Sequence, residues 1–258
     1  MSRQWQIVND VIADANLILE VLDARDPNGT RNKRIEKLIL SQNDKKLLLV
    51  LNKIDLVPKD VANEWRKLLQ SEFPTIAISG TRGFERTLRL LRKKILQFAP
   101  SLPVYVAIVG YSNVGKSTII NGLKGAKIVG TSPQAGFTRG KQYINLTKNI
   151  RLIDSPGIIP IEGDELELAL KAVITPEKIK NVDAVVAEIM NRTGPSILSN
   201  FYKLNYIGLD DLLEKLAKRR GKILPGGIPD MYEAAKIVIR DFQRGQIPYY
   251  TLPNEQKN

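Results

Sequence analysis

The sequence predicts an α/β fold with a mostly parallel sheet, followed by a small all-helical C-terminal domain. Three observations carry this expectation. Apolar runs of strand length alternate with amphipathic segments of helical length as far as about residue 165. The stretch "GYSNVGKS" at 110–117 stands between a strand-like run and a helix-like one. Beyond residue 165 the strand signals fade, and helical segments are separated by Gly- and Pro-bearing loops. The expected domains are therefore 1–165 and 166–258.

Taken in order, Trp5, Val8 and Ile12 recur at helical spacing within residues 2–14. Residues 16–24 form a buried-strand candidate ending near Asp23, since a strand covered on both faces reads as a continuous apolar run. Residues 31–41 read as an amphipathic helix, 45–55 as a second apolar strand and 59–72 as a helix. A short strand at 75–80 and a helix at 84–98 follow. The strand 104–110 runs into the glycine loop, and a helix is expected at 116–124. Strands are expected at 142–147 and 150–157, then helices at 164–173, 176–191, 209–220 and 229–244. "LPGGIP" (224–229) reads as a loop.

Hydrophobic residues make up 43% and charged residues 26% of the 258, a globular composition. The chain has no Cys and no His. That excludes disulfides, Cys/His zinc sites and histidine acid–base chemistry within it. A metal here must take oxygen ligands, which favours magnesium or an alkali cation. The net charge of +12 favours a polyanionic partner, usually nucleic acid; the alternative is a lysine-rich, thermally hardened surface. Residues 1–165 hold 25 basic against 16 acidic residues, and 166–258 hold 14 against 11, so the excess is not confined to the tail. No apolar stretch reaches the roughly 20 residues of a membrane span, and no signal-peptide core opens the sequence. A cytoplasmic protein without membrane contact is expected.

"GYSNVGKS" fits the phosphate-loop pattern in the right strand–helix context. Gly110 and Gly115 let backbone N–H groups turn inward around phosphates, and the helix that follows presents its positive end. Asn113, Val114, Gly115, Lys116, Ser117 and Thr118 are the candidate phosphate-binding residues. Lys116 is expected at the β- and γ-phosphates and Ser117 on magnesium. In "LIDSPG" (152–157), Asp154 is a second magnesium candidate, usually acting through water, and Gly157 a γ-phosphate donor. Thr138 is the candidate switch threonine over the metal. Asn52, Lys53 and Asp55 form a guanine-reading tetrapeptide with Ile54. The Asp55 carboxylate accepts two hydrogen bonds that guanine donates and adenine does not. Ser79 and Gly80 stand where a backbone N–H meets the guanine oxygen. The guanine motif precedes the phosphate loop, so the usual order is rotated. Such circular permutation is tolerated where domain termini lie close together.

With these motifs in hand, the sequence resembles the circularly permuted P-loop (Ras-like) GTPases, and among them the YlqF/RbgA-like ribosome-assembly group. "DARDP" (23–27), "RN" (31–32), "NKIDLVP" (52–58), "GYSNVGKST" (110–118), "GFTRG" (136–140) and "DSPGI" (154–158) carry the resemblance, with a softer match at 239–253. It implies a GTPase that uses GTP/GDP and Mg2+ in maturation of the large ribosomal subunit or its precursor, and a helical C-terminal domain touching rRNA. A monomer is expected.

The catalytic group is less visible. Ile158 and Ile159 stand where Ras-like enzymes place a water-orienting Gln. The Pro-Gly-His of bacterial members is absent. Asn113 resembles the asparagine of potassium-activated GTPases, so K+ is a candidate activator; an Asn that merely tolerates a tight turn is the alternative. The catalytic candidates are thus Lys116, Thr138, Gly157 and Asn113, with slow intrinsic turnover stimulated by a partner. Arg82, Arg86, Arg89 and Lys93, with Arg92 and Lys94 beside them, form either an RNA-contacting stripe or a solvated face. Rival readings are a regulatory switch binding a protein effector, and an RNA-binding protein that holds nucleotide without turnover.

Overall fold

A computed structural model describes residues 3–81, 83–125, 142–154 and 163–253; of Arg3, Gln4, Gln142 and Asp154 it describes the backbone alone. The chain divides into two compact units: Met1–Pro160 together with Tyr250–Asn258, and Ile161–Tyr249. The division expected near 165 lies between 160 and 161. The last residues return to the first unit because Thr251 N–H donates to Arg25 O at 2.8 Å.

In the first unit, α1 (Arg3–Asp14) leads into β1 (Leu17–Asp23), α2 (Pro27–Thr30), α3 (Lys33–Leu40) and β2 (Lys46–Asn52). Then come α4 (Lys59–Glu72), β3 (Thr75–Ala77), α5 (Phe84–Phe98), β4 (Val104–Val109), α6 (Lys116–Gly125), β5 (Gln142–Thr147) and β6 (Ile150–Asp154). The sheet order is β3-β2-β1-β4-β6-β5. Every pairing is parallel except β5 with β6. All seven residues of β1 are buried, as an inner strand of a covered parallel sheet requires. The sequence did not suggest α2. It is a single turn that starts on Pro27 and is capped by Asp26, whose side chain accepts the Gly29 N–H.

In the second unit, α7 (Glu165–Leu170), α8 (Val182–Thr193), α9 (Pro195–Tyr202), α10 (Leu209–Arg219) and α11 (Met231–Gln243) share an apolar core that includes Val186, Ile189, Leu198, Leu216 and Val238. The helix expected from 176 starts at 182. Pro176–Lys178 is a separate 3-10 turn, and Asn181 caps α8 by accepting the Ala184 N–H. Pro195, which reads as a break, opens α9 at its first turn. The unit is not wholly helical. Gly226 (φ 84) and Gly227 (φ 78) turn the supposed loop back on itself. That pairs β7 (Ile223–Leu224) with β8 (Ile228–Pro229). No helix among the described residues is long and apolar enough to cross a membrane.

Candidate functional site

The carboxyl ends of β4, β2 and β3, with the loops that follow them, bring the predicted phosphate and guanine segments together. Two glycines are fixed by close approach. A Cβ on Gly110 (φ 150) would lie 2.7 Å from Val21 O, and one on Gly115 (φ 101) 2.1 Å from Asn52 Nδ2. Lys116 opens α6 and donates to Gly110 O at 2.8 Å and to Tyr111 O. Burial pushes its ammonium down to about 8, since neutral carbonyls only partly replace water. Ser117 and Thr118 are exposed on the first turn of α6, while Val114 is buried behind the loop. Asn113 sits at φ 59, a left-handed conformation that Asn tolerates.

The guanine segment begins where β2 ends. Asn52 Nδ2 donates to Val114 O at 2.7 Å and ties the two loops together. Asn52 Oδ1 is buried with no partner among the described residues. Lys53 is held at φ 63, strain of the kind that collects at binding sites. Asp55 lies exposed in the 3-10 turn Ile54–Leu56. Ser79 Oγ donates to Asp55 Oδ1 at 2.6 Å and accepts from Thr81 N–H at 3.2 Å. The Ser79 side chain thus orients the Asp55 carboxylate, a role the sequence did not suggest. Gly80 faces Thr118, whose Cγ2 would lie 3.5 Å from an added Cβ.

Asp23 was not among the predicted site residues, although "DARDP" was noted. It accepts from Lys53 Nζ at 2.9 Å and from Arg25 Nη2 at 2.7 Å. Burial pushes its pKa up, but Arg25 and Lys53 outweigh burial and hold it at about 2. For Lys53 the balance reverses: burial lowers its pKa more than Asp23 raises it.

Other candidates are not brought into view. Thr138, Gly157 and Arg82 lie outside the described residues, as does the Asp154 side chain; the Asp154 backbone ends β6, which pairs with β4. Arg86, Arg89 and Lys93 are exposed on α5. Arg92 does not belong to that stripe: it turns inward, donating from Nη2 to Leu123 O at 2.9 Å and joining α5 to α6. Lys94 lies over the Phe98 ring at 5.3 Å. The described residues hold no cluster of three acidic, His or Cys ligands. The exposed Ser117 hydroxyl fits a cation that takes most of its ligands from phosphate and water, the preference of magnesium.

A glycine loop and an Asn-Lys-x-Asp loop, joined by Asn52 and Val114 at one end of a parallel sheet, define a guanine-nucleotide-binding fold. The strand leading to the Asn-Lys-x-Asp loop, β2, precedes the phosphate-loop strand β4 in the chain, so the order is permuted. The profile of the 50S ribosome-binding GTPase family matches residues 105–214. Nucleolar GTP-binding protein 2 of Schizosaccharomyces pombe is 38% identical over 97% of this chain and 48% of its own length. An uncharacterised GTP-binding protein of Methanocaldococcus jannaschii is 38% identical over 96% of this chain and 66% of its own. GNP-bound YlqF from T. maritima superposes with a TM-score of 0.68 at 23% identity, covering 95% of each chain, a likeness of fold. The chain shares the circularly permuted GTPase fold of YlqF, and the GTP-binding relatives match nearly its whole length. It spans about half the length of the nucleolar relatives.

Proposed function

We propose that this chain is a GTP-binding and GTP-hydrolysing switch that assists assembly of the large ribosomal subunit through nucleotide-dependent contact with rRNA or the pre-ribosome. The observation that carries the nucleotide reading is the Asn52–Val114 hydrogen bond, which joins a guanine-reading loop to a phosphate loop. In this reading Asp55 accepts the guanine N–H donors, Lys53 covers the base plane, and Ser79 and Gly80 face the guanine oxygen. The loop from Asn113 to Thr118 wraps the phosphates. Ser117, Thr138 and Asp154 would hold magnesium, which would supply neutralisation of phosphate charge. Gly157 and Thr138 sense the γ-phosphate and order their segments.

Hydrolysis is slow without a partner, because the Ile158 and Ile159 side chains offer no hydrogen bond to water. Potassium near Asn113 would offset charge developing between phosphates; single-turnover hydrolysis that runs equally fast in sodium and potassium buffers refutes that part. The ribosomal part is supported by the match to a ribosome-binding GTPase family, by the nucleolar relatives and by the net charge of +12. The second unit adds an unbroken exposed run, 218–228, with Arg220 and Lys222 in it. A cavity of about 250 Å3 beside that run is lined by Phe201, Tyr202, Lys203, Leu216, Arg219 and Arg220, whose three cationic residues add positive charge there. The protein acts as a cytoplasmic monomer in this reading.

The test is co-sedimentation with separated ribosomal subunits, in GDP and in a non-hydrolysable GTP analogue, at two salt concentrations. Analogue-dependent binding to the large subunit alone is expected. Binding that ignores nucleotide and disappears with modest salt overturns the ribosomal reading and favours a protein-effector switch.

A further inference from the structure

We infer that Asp23, Arg25 and the returning segment at Thr251 are positioning elements of the guanine site, an inference that rests on Lys53 and Asp55 reading guanine. Lys53 is the residue to be explained. A side chain in the left-handed region is held there against its own preference, so something must anchor it.

The anchor is Asp23, only 5% exposed. Its Oδ1 accepts Arg25 N–H and Arg25 Nε–H, both at 3.0 Å. Its Oδ2 accepts Arg25 Nη2 at 2.7 Å and Lys53 Nζ at 2.9 Å. Asp23 N–H in turn donates to Thr30 Oγ1 at 3.0 Å, and Ala24 N–H donates to Asn52 O at 2.9 Å. The start of the guanine loop is therefore gripped twice by residues 23–25, once through the Asn52 carbonyl and once through the Lys53 ammonium.

Arg25 is held in its turn. Its carbonyl accepts from Thr251 N–H at 2.8 Å and from Thr251 Oγ1 at 3.3 Å. Thr251 O accepts from Trp65 Nε1 at 2.7 Å, and Trp65 is fully buried in α4, the helix that follows the guanine loop. The contacts close a ring: guanine loop, Asp23, Arg25, Thr251, Trp65 and back along α4 to the loop. A residue 226 positions from Arg25 thus takes part in aiming Lys53. If the cluster only tied β1 to the tail, loosening it would weaken the whole fold and treat every nucleotide alike. A positioning role instead affects guanine nucleotides selectively.

The experiment measures GDP and ADP affinity and the unfolding midpoint for the full chain and for D23N, R25M, W65F and T251P, with D55A as the guanine control. ADP reports the phosphate loop without a guanine contact. D23N is expected to weaken GDP about tenfold or more while leaving ADP within about twofold. R25M, W65F and T251P should weaken GDP by about two- to fivefold. Amine labelling at Lys53, protected by GDP in the parent, should lose that protection in D23N. W65F keeps the buried ring and carries the test if D23N fails to fold. GDP affinity unchanged in D23N and W65F, or GDP and ADP weakened alike, overturns the inference. GDP affinity unchanged in D55A instead removes the guanine reading on which it rests.

Discussion

The two compact units handle charge in opposite ways. In the second unit the buried polar groups among the described residues are the Thr193 hydroxyl, which donates to Ile189 O at 2.7 Å, and the Tyr202 hydroxyl, which donates to Asp241 Oδ2 at 3.0 Å. Its ion pairs, such as Arg192–Glu188 and Lys215–Asp211, lie on helix surfaces one turn apart, where each contributes little. The first unit buries Glu20, Asp23, Arg31, Glu36, Lys45, Asn52 and Ser79. A helical unit with an apolar core needs only area removed from water to hold its shape. A sheet whose loops must aim donors and acceptors at a ligand needs directional bonds, and those are stable only when fully paired.

The sharpest way to break this contrast is to unpair the first unit's buried charge. Arg31 donates to Glu36 at 2.7 and 2.8 Å and to Glu72 at 3.1 and 2.9 Å. R31M leaves the buried Glu36 carboxylate beside Glu20 with only the exposed Lys33 ammonium, at 3.5 Å, as counter-ion. A loss of about 3–5 kcal/mol is expected in urea unfolding of the first unit. Both tryptophans, Trp5 and Trp65, belong to that unit, so fluorescence reads it alone. The matching change in the second unit is L216A, at a fully buried position, with an expected cost of about 2–5 kcal/mol. The loss should appear in far-UV circular dichroism while the fluorescence midpoint and GDP affinity stay put. A shift in all three would mean that the units unfold as one.

The same contrast explains what the sequence made legible. The second unit's helices follow from apolar periodicity, which is a local signal. Its misreadings are local too: Pro195 stops one helix but starts the next, and a two-glycine turn makes a ladder that no periodicity announces. In the first unit the phosphate-loop and guanine-type patterns, their rotated order and a mostly parallel sheet were readable, because spacing and chemistry coincide in them. Asp23 was not readable as part of the guanine loop, since its partner Lys53 lies 30 residues on and only the parallel pairing of β1 with β2 brings them together. Arg92 shows the converse. Helical spacing groups it with Arg89 and Lys93, but the neighbour that claims it, Leu123 O, belongs to another helix.

A subtler test uses pH. Glu20 is fully buried; its Oε1 accepts Asn32 N–H at 2.7 Å. Burial, and then the nearby Glu36 charge, push its pKa up to about 8. The unfolded chain ionises near the ordinary carboxylate value, while the folded chain keeps the proton until about 8. Between those limits the unfolded state binds fewer protons, so stability is full below the unfolded pKa and falls as pH rises, on the order of 1 kcal/mol per unit. In E20Q, whose amide can still accept from Asn32, that slope should vanish in fluorescence-monitored melts. A slope surviving unchanged in E20Q would assign it to another group.

The smallest effect separates two lysines of one site. Lys53 has a carboxylate partner, Asp23, whereas among the described residues Lys116 bonds only to carbonyl oxygens. A buried ammonium without a counter-charge is one that an anion will stabilise. In the free protein burial holds Lys116 at about 8, and phosphate oxygens would raise it again. Below that value the lysine is charged in both states and GDP affinity should be flat. Above it, binding must take up a proton, so affinity should fall by about tenfold per pH unit until the raised value is reached. Titration calorimetry in buffers of different ionisation enthalpy reads the proton directly. Uptake at alkaline pH would place the phosphates on Lys116. Affinity that stays flat, with no proton taken up, would mean that the carbonyl cage already keeps the ammonium charged, and that Lys53 and Lys116 differ less than their partners suggest.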